Sequence, residues 1–113
     1  MGKNDCIFCR IVTGQLNSNI VWQDESAIAI RDLNPQAPSH ILIIPKQHMG
    51  DITECKDSVL LGSLFQKASL LATQEGLTDG FRLIVNTGSD GGQTVNHLHI
   101  HMLGGRVMNW PPG

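Results

Sequence analysis

Three of the chain's five histidines stand at alternate positions, His97, His99 and His101, with Leu98, Ile100 and Met102 between and after them. An imidazole near neutral pH can bind a metal, move a proton or attack an electrophile. Alternation is the period of a β-strand, whose successive side chains point to opposite faces. A strand over 97–103 would line one face with three rings and the other with aliphatic side chains. Same-face neighbours stand about 6.6 Å apart at the Cα, close enough for two rings to bracket one phosphate or one ion. Just upstream runs Gly88-Ser89-Asp90-Gly91-Gly92-Gln93-Thr94, a polar glycine-rich loop whose backbone N–H groups suit an anion. A merely polar strand face is a poor account of this pattern, and two chemistries remain. One is a metal site. Three consecutive same-face ligands span about 13 Å at the Cα, so all three on one ion at bonds of about 2.0–2.1 Å is strained; two are comfortable. The other is attack on phosphorus by a neutral, oriented imidazole. The loop would hold the phosphate oxygens and a neighbouring histidine would stabilise developing charge.

Other candidates lie upstream. Cys6 and Cys9 are either two small core residues or half of a metal site that needs two further ligands. Thioredoxin-like redox chemistry fits poorly, because no strand precedes the pair. Asp32 leads a turn-rich loop through Pro35 and Pro38, as a turn former or as a carboxylate for a sugar diol. His40 and His48 flank the most apolar segment. They read as capped or solvated residues unless they converge on the triad or the cysteines. Asn86 closes a strand, as a turn former or as an amide aimed at a ligand.

The elements that must position these residues follow from periodicity. A short helix spans Cys6 to Thr13, with Asp5 as N-cap, Gly14 as stop, and Ile7, Phe8 and Ile11 on one face. Strands are expected at 20–22 and 27–30, joined through Asp24-Glu25-Ser26, then at 39–44, 81–86 and 97–103. Asp57 to Glu75 is the one long helix, with Leu61, Leu64, Phe65, Ala68, Leu71 and Ala72 as its apolar stripe and Gly76 as its C′ residue. Cys55 reads as a small filler. The fold class is α+β: a five-stranded antiparallel sheet with one long and one short helix, the helices on one face.

The 113 residues suit a single domain over 1–113, and 41% hydrophobic content is ordinary for a globular chain. A net charge of −2 without like-charge blocks gives no footprint for nucleic acid. No apolar run approaches a membrane span, and no apolar segment behind the N-terminus suggests a signal peptide. Three cysteines, two of them in a CxxC pair, suit a reducing cytoplasmic setting, or a nuclear one in a eukaryote. Trp110 in a proline-ended tail is expected to pack on something, such as a second subunit.

Asn96-His97-Leu98-His99-Ile100-His101-Met102-Leu103 resembles the motif of the histidine-triad (HIT) superfamily, three histidines alternating with hydrophobic residues. The stretches 32–40 and 44–48, Asn86, Gly91-Gly92-Gln93-Thr94 and Trp110-Pro111-Pro112-Gly113 resemble its Hint branch, the histidine-triad nucleotide-binding proteins. The resemblance implies a purine nucleoside phosphoramidase. Such an enzyme hydrolyses the P–N bond of adenosine 5′-phosphoramidates, or of aminoacyl-adenylate-like substrates, through a nucleotidyl-histidine. By motif position His99 is the nucleophile and His101 its phosphate-binding partner. Thr94 stands near the leaving nitrogen, where the family usually has serine. Asn86, Gly92, Gln93 and Thr94 would line the phosphate site. Asp32, with Leu33 beside it, would take the ribose hydroxyls, and Ile7, Phe8 and Ile11 the base. The resemblance further implies a homodimer with a continuous ten-stranded sheet, Trp110 approaching the partner's site, and no cofactor in catalysis. In relatives that carry the CxxC pair it implies structural zinc, which here would fall to Cys6, Cys9, His48 and His97. Asn96 departs from the aromatic residue frequent at its position. The runner-up readings are a nucleotide-binding scaffold with slow residual activity and a dinucleoside polyphosphate hydrolase. A free imidazole protonates near pH 6.5, so activity is expected to fall below about that pH.

Overall fold

The computed structural model describes residues 6–113. Helix α1 (Ile7–Val12) is followed by strands β1 (Ile20–Gln23), β2 (Ala27–Arg31) and β3 (Ser39–Pro45), helix α2 (Ser58–Gln74), and strands β4 (Phe81–Ile84) and β5 (Ile100–Gly104). The strands form one antiparallel sheet in the order β1-β2-β3-β5-β4. Local chemistry accounts for the boundaries. Asp24 Oδ1 accepts from the Ser26 and Ala27 N–H groups and so closes the β1–β2 hairpin. Asp57 caps α2 by accepting from the Val59 and Leu60 N–H groups, and Gly76, at φ +71°, turns the chain out of it. The expected cap Asp5 lies outside the described residues; Cys6 occupies the N-cap position of α1, its Sγ accepting from the Cys9 N–H at 3.4 Å.

The central strands β2, β3 and β5 are buried on both faces, and their alternation sorts two cores. Ala27, Ala29, Ile41, Ile43, Leu98, Ile100 and Met102 pack with Leu64, Ala68, Leu71 and Ala72 of α2, and Cys55 fills the margin of that core. Ile28, Ile30, Leu42 and Ile44 pack with Cys6, Phe8 and Ile11 of α1. The helices therefore cover opposite faces. The expectation of both on one face is corrected: β2 and β3 are apolar at every position from 27 to 30 and from 41 to 44, and one helix covers only one parity. A clip on the α2 side sets the sheet end nearest the loop 32–38. Glu75, the C-cap of α2, accepts two bonds from the Arg31 guanidinium at 2.7 and 2.9 Å and one from the Ser39 hydroxyl at 2.9 Å. Arg31 and Ser39 precede Asp32 and His40, which the alternation sends to the other face. Among the described residues no helix is long and apolar enough to cross a membrane.

Candidate active site

The histidine row does not lie wholly on a strand. β5 begins at Ile100, and His97 sits in a bend before it. β4 likewise ends at Ile84, short of Asn86. His97 is needed elsewhere: its Nε2 donates to the Pro45 carbonyl at 2.8 Å, which ties the bend to the end of β3. The alternation still sorts the side chains. Leu98, Ile100 and Met102 enter the α2 core, while Phe8 on the opposite face sets its ring edge-on to His97 and His99, at centroid distances of 5.8 and 5.1 Å.

Two clusters result. In the first, Cys6 Sγ, Cys9 Sγ and His48 Nδ1 surround His97 Nδ1 at 3.2, 3.6 and 3.2 Å, and Cys9 Sγ lies 3.3 Å from His48 Nδ1. His97 Nε2 must carry the proton it gives to Pro45, so Nδ1 presents a lone pair to the other three atoms. Tetrahedral zinc at usual Zn–S and Zn–N bond lengths sets its ligand atoms about 3.3–3.6 Å apart where nitrogen is involved. The four donors fit such an ion, with a carbonyl fixing the tautomer of one ligand as metal sites require. Burial, foremost, and the neighbouring His48 and His99 hold the His97 pKa below that of free imidazole, which favours the ligating neutral form.

The second cluster has the opposite polarity. The Gln36 N–H donates to His40 Nδ1 at 3.0 Å, so neutral His40 carries its proton on Nε2. That Nε2 lies 2.9 Å from His101 Nδ1 and 3.5 Å from Asp32 Oδ2. His101 Nδ1 must accept, which leaves the His101 proton on Nε2. The reverse tautomer would set two N–H groups against each other, a penalty of about 1–3 kcal/mol for an unmet buried donor. Asp32, His40 and His101 could be counted as a three-ligand metal set by proximity. The Gln36 bond argues against it, because it removes the lone pair that His40 would have to give. Between the clusters, His99 Nδ1 lies 2.7 Å from the His97 carbonyl, which can only accept, so Nδ1 carries the proton and Nε2 the lone pair. Burial, foremost, lowers the pKa of His40, His99 and His101, that of His101 to about 4, with His99 and His40 adding to the last. At neutral pH the site holds uncharged rings: His99 with a free lone pair and, 4.9 Å away between centroids, His101 with a free N–H.

Asp32 is the turn former foreseen for it, Oδ1 accepting the Asn34 N–H, and its Oδ2 lies 3.5 Å from His40 Nε2. Phe8 and Ile11 are buried together, but Ile7 is 46% exposed and does not share their buried face. Leu33 is 94% exposed on the same loop as Asp32. Continuing the β4–β5 register by two residues sets Asn86 opposite His99. In the loop, a Cβ on Gly91 would strike the Thr87 backbone, and Gly92 has φ +78°, so both glycines are required by shape. The Gly92 and Gln93 N–H groups are spent on Ser89 and Gly88 carbonyls, and the Gln93 amide spans Gly50, Val95 and Gly88. The expectation that these N–H groups cradle phosphate is thus corrected: Gln93 shapes the loop. The Asn86 amide and the exposed Thr94 hydroxyl have no partner among the described residues. Trp110 is 81% exposed, in a tail held to β4 by the Arg82 guanidinium on the Asn109 carbonyl at 3.0 Å. His40, read from the sequence as a capped or solvated residue unless it met the triad, does meet it: β3 pairs Leu42 with His101, so His40 shares the face of that ring.

An antiparallel five-stranded sheet with alternating histidines running into its inner strand β5 and a cysteine-histidine cluster at the shared end of β3 and β5 defines a histidine-triad protein. The family model for the HIT domain matches residues 13–108, and the chain belongs to that family. Within it the chain falls in the Hint branch. It is 49% identical over 111 residues to the 14 kDa zinc-binding protein of Zea mays, covering 95% of this chain and 87% of that one. It is 45% identical over 111 residues to adenylylsulfatase HINT1 of Arabidopsis thaliana, covering 95% and 76%. Among solved structures, a HIT family hydrolase from Legionella pneumophila superposes with a TM-score of 0.94 at 47% identity, covering 96% of this chain and all of that one.

Proposed function

We propose that the chain is a nucleoside phosphoramidase that forms a covalent bond between His99 and the nucleotide. The observation that carries this reading is the paired tautomers: a neutral His99 with its Nε2 lone pair free, beside a His101 with its Nε2 proton free. A nucleophile and a hydrogen-bond donor held side by side suit attack on phosphorus followed by stabilisation of charge on its oxygens. His99 Nε2 attacks the α-phosphorus of an adenosine 5′-phosphoramidate. The P–N bond breaks, and the departing nitrogen takes a proton, with the Thr94 hydroxyl as donor by motif position. Positive charge on the His99 ring is met at Nδ1–H by the His97 carbonyl. His101 Nε2–H donates to a phosphoryl oxygen, and the His40 chain keeps it in that tautomer. Water then attacks the phosphorus of the nucleotidyl-histidine: the bond to His99 Nε2 breaks, the water's proton returns to the Thr94 oxygen, and the nucleoside monophosphate leaves with His99 restored. Asp32 takes the ribose hydroxyls, Phe8 and Ile11 form the base wall, and Asn86 joins the phosphate contacts. Cys6, Cys9, His48 and His97 hold zinc, which supplies structural cross-linking and takes no part in the bond changes.

The Arabidopsis relative's name points to a sulfate leaving group in place of an amine, and the same intermediate serves both. Purified protein given adenosine 5′-phosphoramidate, adenosine 5′-phosphosulfate and a diadenosine polyphosphate separates the readings. We expect fastest turnover of the phosphoramidate. Preference for the phosphosulfate would make this an adenylylsulfatase, and preference for the dinucleotide a polyphosphate hydrolase. Tight binding of adenosine monophosphate without turnover of any of the three would leave the scaffold reading. The working unit is a homodimer joined along β4. That strand is a free edge of the sheet, carrying Phe81 at 40% exposure near Val107 at 88% in the tail.

A further inference from the structure

The two clusters share one residue and one helix. His97 offers its ring to the cysteine-histidine centre and its carbonyl to His99 Nδ1, 2.7 Å away. Phe8 lies between Cys6 and Cys9 in the chain and sets its edge against both rings. The helix that carries it has six residues, too few to hold its own shape in water. Cys6, Phe8 and Ile11 pack on the sheet with Cys9 and Val12 beside them, and the polar contacts of Cys6 and Cys9 to His97 and His48 are sulfur contacts of 3.2 to 3.6 Å, individually weak as hydrogen bonds. An ion ligated by both thiolates and both rings replaces those contacts with four bonds. It therefore fixes, at once, the carbonyl that orients His99 and the aromatic edge that walls it.

We infer that the Cys6–Cys9–His48–His97 centre is a positioning device for the nucleophile: metal bound there sets the orientation and tautomer of His99 through the His97 backbone and Phe8. His97, Cys6, Cys9 and His48 are on this account positioning residues. The kinetic arm of the test rests on the phosphoramidase reading, and the spectroscopic arm stands without it. A small misplacement of a reacting atom costs on the order of a hundredfold in rate.

The experiment compares zinc-loaded protein, chelator-stripped protein and stripped protein given back zinc. The first reading is the long-range proton–nitrogen spectrum of the histidine rings. In loaded protein His99 should show a single Nδ1–H tautomer. Stripping should broaden it or mix in the Nε2–H form, and zinc should restore it; in Cys9→Ala zinc should restore nothing. The second reading separates kcat from KM: stripping should lower kcat by about ten- to a hundredfold, with a smaller change in KM. Should the stripped protein unfold, Phe8→Leu in the loaded state is the second probe. It should keep one zinc per chain yet shift the His99 signals. An unchanged His99 spectrum, in the stripped protein with only a lower melting temperature or in zinc-loaded Phe8→Leu, would overturn the inference and leave the metal a purely structural role. A metal-dependent His99 tautomer in a protein that hydrolyses none of the substrates would instead uphold the inference and remove the phosphoramidase reading.

Discussion

The two histidine clusters use the same side chain for opposite ends. Around His97 the hydrogen bond goes outward, to the Pro45 carbonyl, and a lone pair points inward at two sulfurs and a second imidazole. Around His101 the acceptor is filled from inside, by a relay that starts at the Gln36 N–H, and a proton is left to point at a ligand. The backbone makes the choice in both cases: a carbonyl can only accept and an amide N–H can only donate, so each sets the tautomer of the ring it touches. His99 lies between the two and takes the carbonyl's instruction. Residue type alone does not separate a ligand histidine from a nucleophile; the main-chain atom behind the ring does.

The largest expected effect comes from the ring with the free lone pair. His99→Ala should lower kcat by on the order of 10⁴ or more, while circular dichroism stays native and bound zinc stays at the wild-type level. Full activity in a folded variant would end the nucleophile assignment. The donor side should cost less. His101→Ala is expected to lower kcat by about 10²- to 10³-fold, the usual loss for one oxyanion donor. His40→Ala should fall between wild type and that variant, because it only frees the His101 tautomer. A His40→Ala effect larger than that of His101→Ala would mean that His40 touches the substrate itself.

The pH dependence comes next. A nucleophilic imidazole works when neutral, and burial lowers the His99 pKa. The acid limb of kcat/KM should therefore lie below the pH of about 6.5 expected for a free ring. Stability carries the matching sign. The unfolded chain binds protons at about pH 6.5, where the folded His40, His97, His99 and His101 resist them. The melting temperature should hold above pH 6.5 and fall as the pH drops from there toward the His101 value of about 4. A melting temperature flat over that range would contradict the buried neutral rings. The smallest effect is reserved for Thr94→Ala, about tenfold in kcat for one hydrogen bond to the leaving group, with Thr94→Ser close to wild type.

Much of this molecule was legible in its sequence. Periodicity located both helices and all five strands, because apolar stripes and alternation report directly on burial. The donor set Cys6, Cys9, His48 and His97 came from family resemblance, and the structure brings those four atoms together. What was not legible depends on register or on main-chain direction. The placement of the helices on opposite faces needed the sheet as a whole. The early start assigned to β5 arose because His97 keeps the alternation while its backbone bends. His40 could be recognised only once Leu42 was paired with His101. The Gly92 and Gln93 N–H groups looked free because a glycine loop does not reveal which of its own carbonyls it will use.

The most direct measurement is one spectrum, the long-range proton–nitrogen correlation of the histidine rings in zinc-loaded protein near neutral pH. It should show Nδ1–H for His99 and Nε2–H for His40, His97 and His101. His99 found as Nε2–H, or His101 as Nδ1–H, would contradict that pairing of nucleophile and donor, because the nucleophile would then hold a proton where it needs a lone pair, or the donor a lone pair where it needs a proton.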